Sequence, residues 1–242
     1  MPPAAESFFS FAPLAAIVVS LVAAVLIPLS SRAPNLRETW TIAAACGKFA
    51  VVASMLPAVL SGRYPTATLF EIAPGISLAL RADPLGLSFA LSASLLWIFT
   101  SFYSIGYMRV LKEHSQTRYF ASFAVCLSAT MGIAFAANLL TFLIFYEVLT
   151  IATYPLVIHK ESAEALSAGR KYLAFLLGAG VFLLLAVGLT QRMAGTVNFS
   201  AGGFLSPAMG QGGLLLLFVL FFVGVGAKAG LMPLHSWLPT AM

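Results

Sequence analysis

Seven long apolar runs constrain this chain more than any other feature: residues 8–29, 40–60, 84–107, 119–137, 139–158, 172–189 and 213–230. Each is close to the roughly 20 residues that an α-helix needs to cross about 30 Å of hydrocarbon. A spanning segment of that length must satisfy its own backbone, which a helix does. Barrel strands would be about half as long and would alternate in polarity. Only 9% of the residues are charged, against about 25% in a soluble domain, so most of the surface must face lipid or apolar protein. The expected fold class is all-α, a polytopic transmembrane helix bundle of about seven spans. The start, Met1 to Glu6, has no basic stretch before the first run, which is therefore read as a span and not as a cleaved leader.

The formal charge of +5 is spread through the connections between runs instead of clustering on one face, which argues against nucleic-acid binding. With the amino terminus outside, the inner connections carry Arg32, Arg37, Arg109, Lys112, Arg118, Lys160, Arg170 and Lys171. The outer ones carry Arg63, Arg81 and Arg192. Eight against three favours that orientation under the positive-inside rule, with the cell's inner (plasma) membrane as the expected location. Residues 63–83 are too polar to span. Ile76, Leu78 and Leu80 alternate there after Ala73-Pro74-Gly75, predicting a short hairpin on the outer surface. Residues 1–118 are expected to hold the first three spans with this hairpin, and residues 119–242 the remaining four. Cys46 and Cys126 sit inside apolar runs without ligand spacing, so neither a metal nor a cofactor is implied.

Three ionisable residues interrupt the apolar runs: Lys48, Glu147 and Lys228. A charge at mid-bilayer costs about 2.5–3.5 kcal/mol on insertion scales, so residues retained there usually have a role. Glu147 shares a helical face with Thr150, Ile151 and Tyr154, a partly polar stripe suited to the bundle interior. Lys228 is flanked by Gly224, Gly226 and Gly230, with Pro233 and Pro239 beyond. Pro233 lacks a backbone donor, so a break is predicted near residues 229–233, making helix seven discontinuous. Such breaks place irregular backbone beside ion sites. Lys48 lies about 12 Å along its helix at 1.5 Å per residue, within snorkelling distance of the inner surface, and a relay role is equally open. His235 suits either proton relay or a structural hydrogen bond. The glycines around residue 226 match no nucleotide-binding spacing.

Taken together, Asp83-Pro84-Leu85-Gly86, the segment Tyr103 to Met108, the Glu147 run ending Tyr154-Pro155-Leu156-Val157-Ile158-His159, and Lys228 followed by Pro233-Leu234-His235 and Trp237-Leu238-Pro239 resemble one family. It comprises the proton-conducting antiporter-like membrane subunits of respiratory complex I, of Mrp-type monovalent cation/proton antiporters and of membrane-bound hydrogenases. The Glu147 segment looks most like the D-type Mrp subunit, and the likeness covers the family's amino-terminal half. The resemblance implies a proton half-channel built on Glu147 and Lys228, with His235, Lys171 and Lys48 as candidate relays. It also implies partner membrane subunits, protons and sodium or potassium as the transported ions, and no covalent chemistry. Because residues 1–242 precede the family's exit half, no complete proton path is expected within them. A quinone-contacting redox subunit and a structural scaffold are the alternatives. An NADH:quinone oxidoreductase activity would belong to the complex, since nothing in this chain would hold nicotinamide or flavin.

Overall fold

A computed structural model describes residues 6–73 and 75–241. The start of the chain at Met1–Ala5 and the hairpin residue Pro74 lie outside the described residues. The elements run β1 (Glu6–Phe9), α1 (Ala12–Leu29), α2 (Pro34–Ser54), α3 (Leu56–Leu60), β2 (Arg63–Ala73), β3 (Ile76–Arg81), α4 (Pro84–Val110), α5 (Gln116–Ala134), α6 (Leu139–Val157), α7 (Ala163–Ala194), a 3-10 turn (Pro207–Met209), α8 (Gln211–Gly226) and α9 (Leu238–Ala241). The bundle is helical, as expected. Five segments are long and apolar enough to cross a membrane: Ala12–Leu29, Pro34–Leu60, Pro84–Val110, Leu139–Val157 and Ala163–Ala194. Helices α5 and α8 occupy the remaining two predicted runs.

Local chemistry sets the ends. Asp83 caps α4 by accepting the Gly86 N–H at 2.7 Å, and Asn138 caps α6 by accepting that of Thr141 at 2.8 Å. Ser162 does the same for α7, where Glu164 also complements the helix dipole. Two boundaries differ from the sequence reading. The first span begins at Ala12, because Glu6–Phe9 form a strand parallel to β2. The second begins at Pro34 and is interrupted at Met55, where Pro57 starts the short α3. The polar 63–83 segment folds as the predicted strands, which with β1 make a sheet of order β1-β2-β3.

The chain divides into two compact units, residues 1–69 with 79–136, and residues 70–78 with 137–242. In the first, Ile27, Ala45, Trp97, Phe120 and Ala124 form the core. One end is clasped by charge. Arg109 donates two hydrogen bonds to Glu38, at 2.9 and 2.5 Å. Arg37, itself buried, donates to Glu38 at 3.4 Å and to Gln116 at 2.7 Å. Glu38 therefore pairs with two guanidinium groups and ties α2 to α4, while Arg37 ties α2 to α5.

Three backbone pairings each close a helix pair at one end. The β1–β2 pairing, from Glu6–Arg63 to Phe9–Thr66, brackets α1 and α2–α3. An antiparallel bridge between Leu80 and Ala136 brackets α4 and α5, and one between Asn138 and Asn198 brackets α6 and α7.

Candidate functional site

In the second unit, α6 presents Tyr146, Glu147 and Thr150 between α7 and α8. Lys228 reaches this face from just past the last turn of α8. Its Nζ donates to the Tyr146 carbonyl at 2.8 Å and lies 3.5 Å from the centre of the Tyr146 ring. The Thr150 hydroxyl donates to that same carbonyl at 3.1 Å. Tyr146 also donates its own hydroxyl to the Gly224 carbonyl at 2.9 Å. One tyrosine thus fixes the backbone of α8 and seats the lysine that follows it. The neighbouring Glu147 carboxyl has a buried Oε1 without a hydrogen-bond partner among the described residues.

The end of α8 explains how Lys228 comes to be there. Gly230 takes a left-handed conformation, φ +68°. Its N–H donates to the Ala227 carbonyl at 3.2 Å, and the Leu231 N–H donates to that of Gly226 at 2.9 Å. These two bonds form a Schellman motif, in which glycine allows the reversal and the last carbonyls are satisfied. Helical structure resumes only at Leu238. Helical i to i−4 bonding runs through Ala229, so the reversal at Gly230 falls within the expected 229–233 window. The positive φ at Gly230 stops the helix, and Pro233 lies in the turns beyond it.

Those turns are anchored on α7. The Trp237 indole donates to the Ala227 carbonyl at 2.8 Å, and its ring meets that of Tyr172 edge-on at 5.4 Å. Tyr172 in turn donates to the Thr150 carbonyl at 3.2 Å. His235 sits half-buried in the turns, with a buried Nδ1 that has no hydrogen-bond partner among the described residues. Lys171, next to Tyr172, is half-buried on α7.

Lys48 belongs to the first unit. It has no exposed surface and does not snorkel. Its Nζ donates to the Leu127 carbonyl at 2.9 Å and lies 4.7 Å from the centre of the Trp97 ring. Sequence reasoning does not single out Tyr146 or Tyr172. Their signal is present in aromatic residues beside or facing the glutamate run, but only tertiary packing gives them partners.

Fold and site together define a polytopic membrane protein with ionisable groups held among its helices. Residues 136–242 match the family described as NADH:quinone oxidoreductase/Mrp antiporter, TM. Hydrogenase-4 component B of Escherichia coli (strain K12) is 31% identical over 71% of this chain and 25% of its own length. The D-type subunit of a probable K(+)/H(+) antiporter of Rhizobium meliloti (strain 1021) is 30% identical over 91% of this chain and 42% of its own. A chain of the membrane-bound sulfane sulfur reductase, an archaeal respiratory membrane complex, superposes with a TM-score of 0.81 at 20% identity, over 96% of this chain and 47% of that one. Over most of its length the chain is thus similar to antiporter-like membrane subunits, and residues 136–242 carry that family's membrane region. It spans less than half the length of these relatives.

Proposed function

We propose that the chain is a proton-translocating subunit of a multisubunit cation/proton antiporter or complex I-like respiratory assembly, with Glu147 and Lys228 as the coupled charges. The observation that supports this most is Lys228 seated on the Tyr146 carbonyl, one residue from a carboxyl with a buried, unused oxygen. Both groups lie among apolar helices, so each depends on the other's charge. A unit change of charge a few ångströms from its partner, in an effective dielectric near 20, is worth on the order of a few kcal/mol. A proton arriving on Glu147 would remove that attraction and release Lys228 to pass its own proton onward. His235 or Lys171 would serve as the acceptor, with Lys48 as a relay in the first unit. Electrostatics switches the site without a large helix movement.

In this reading the chain lies in the plasma membrane with its amino terminus outside, beside other membrane subunits. Protons and an alkali cation are the transported species. The Glu147 segment favours the D-type Mrp branch. Proton flux in vesicles carrying the assembled complex tests the mechanism. Glu147→Gln and Lys228→Ala are each expected to lose most flux while assembly on a native gel stays intact. Near wild-type flux from assembled Glu147→Gln would sink the carboxylate's role and leave a structural subunit.

A further inference from the structure

The position of the Glu147 carboxyl depends on an absence in the helix opposite. Gly180 is buried on α7, and a Cβ there would collide with Oε1 of Glu147, lie 2.7 Å from its Cδ and 3.1 Å from Oε2. A side chain at that point would require the flexible end of Glu147 to move aside. A second close approach lies three turns away, where a Cβ at Gly169 would stand 2.8 Å from Cε2 of Tyr154. Gly169 and Gly180 are eleven residues apart on α7, and Glu147 and Tyr154 seven apart on α6, so each pair shares a helical face. The two glycines therefore face α6 with the sequence directions opposed. Gly178 and Gly188 on the same helix meet nothing within 4 Å. The close fit is specific to one face of α7, and at Gly180 the neighbour is the carboxyl itself.

We propose that Gly180 is a positioning residue, whose missing side chain forms the notch that seats the Glu147 carboxyl. This rests on the reading of Glu147 as the proton acceptor. Helix propensity points the other way, since alanine favours an α-helix over glycine. Any loss on adding a methyl must therefore come from the notch. A displaced carboxyl would no longer hold its distance to Lys228, and a small shift at a proton-transfer site is felt strongly in rate.

The experiment measures proton flux in vesicles carrying the assembled complex, for Gly180→Ala, Gly178→Ala, Glu147→Gln, Glu147→Asp and Gly180→Ala/Glu147→Asp. Gly180→Ala is expected to lose at least tenfold in flux and Gly178→Ala to match wild type. Aspartate is one methylene shorter and withdraws the carboxyl from the added methyl. The double variant should therefore exceed Gly180→Ala by at least threefold, although Glu147→Asp alone is slower than wild type. Infrared difference spectra supply a second readout. The carboxyl band removed by Glu147→Gln should shift in Gly180→Ala and stay in place in Gly178→Ala. Wild-type flux and an unshifted band in Gly180→Ala, with Glu147→Gln inactive, would overturn the notch and leave the proton reading standing. A double variant no faster than Gly180→Ala would also overturn it. Wild-type flux in Glu147→Gln would remove the proton reading and this inference with it. If Gly180→Ala does not assemble, Gly180→Ala/Glu147→Ala decides. Restored assembly supports the steric notch, and failure to restore it overturns the proposal.

Discussion

A lysine with no exposed surface must be solvated by the protein, and Lys48 is solvated by one carbonyl and one aromatic face. An ammonium over an indole gains about 2 kcal/mol or more when desolvated. Removing the charge is therefore cheaper than removing its host. Lys48→Met is expected to leave thermal unfolding in detergent unchanged or to raise stability by about 1–3 kcal/mol, whereas Trp97→Leu should lower it by roughly 2 kcal/mol. A large loss from Lys48→Met would refute this account. Glu147 and Lys228 differ in being proposed to act together. If they form one unit, the Glu147→Gln/Lys228→Ala double variant should pump little worse than either single variant. Multiplying defects in vesicle flux would make them independent. Both residues were legible in the sequence, because an ionisable side chain stands out in an apolar run. Tyr146 and Gly180 were not. A tyrosine's donors and acceptors, and the space left by a glycine, depend on what another helix brings against them.

Among the elements, α8 and the charged clasp on α2 show how ends are specified. The left-handed turn at Gly230 costs an L-residue about 1–2 kcal/mol. Gly230→Ala should destabilise the unit by about that amount, with Gly230→Asn less affected, as measured by unfolding in mixed micelles. Equal stability of Gly230→Ala and wild type would show that the reversal does not need glycine. The break near residues 229–233 was predictable from the cluster of glycines and Pro233. That glycine and not proline makes the reversal was not, because it depends on the backbone conformation at Gly230. Glu38 offers a second test. Its removal leaves Arg37 buried with only neutral partners, so Glu38→Ala should lose roughly 3 kcal/mol. Arg109→Ala should lose less, since the Arg109 side chain is 47% exposed and Arg37 keeps its partner. The reverse order in detergent unfolding would mean that Arg109 holds the clasp.

For the whole molecule, the helical architecture was readable from run length, because a backbone in hydrocarbon must satisfy itself within a helix. Among the described residues five helices are long and apolar enough to cross, and α5 and α8 fill the other two runs. The exact ends followed caps and strand pairings that hydropathy does not register. With the native Cys46 and Cys126 replaced, single cysteines at Ser115 and Ser200, both exposed, should react from opposite sides of the membrane, Ser115 from the cytoplasm. Labelling of both from one side would remove a crossing between them. The three backbone pairings reach the same question without any appeal to charge. Each joins two segments of chain that flank two successive helical runs read as spans. Hydrogen-bonded backbone cannot sit on both faces of a bilayer, so each pairing fixes an even parity. Arg32, Lys112 and Lys160 lie in the turns at the far end of these same helix pairs. In each pair the positive turn and the backbone pairing lie at opposite ends, so in the proposed topology charge would set which way a pair inserts and the backbone would hold it to two passes.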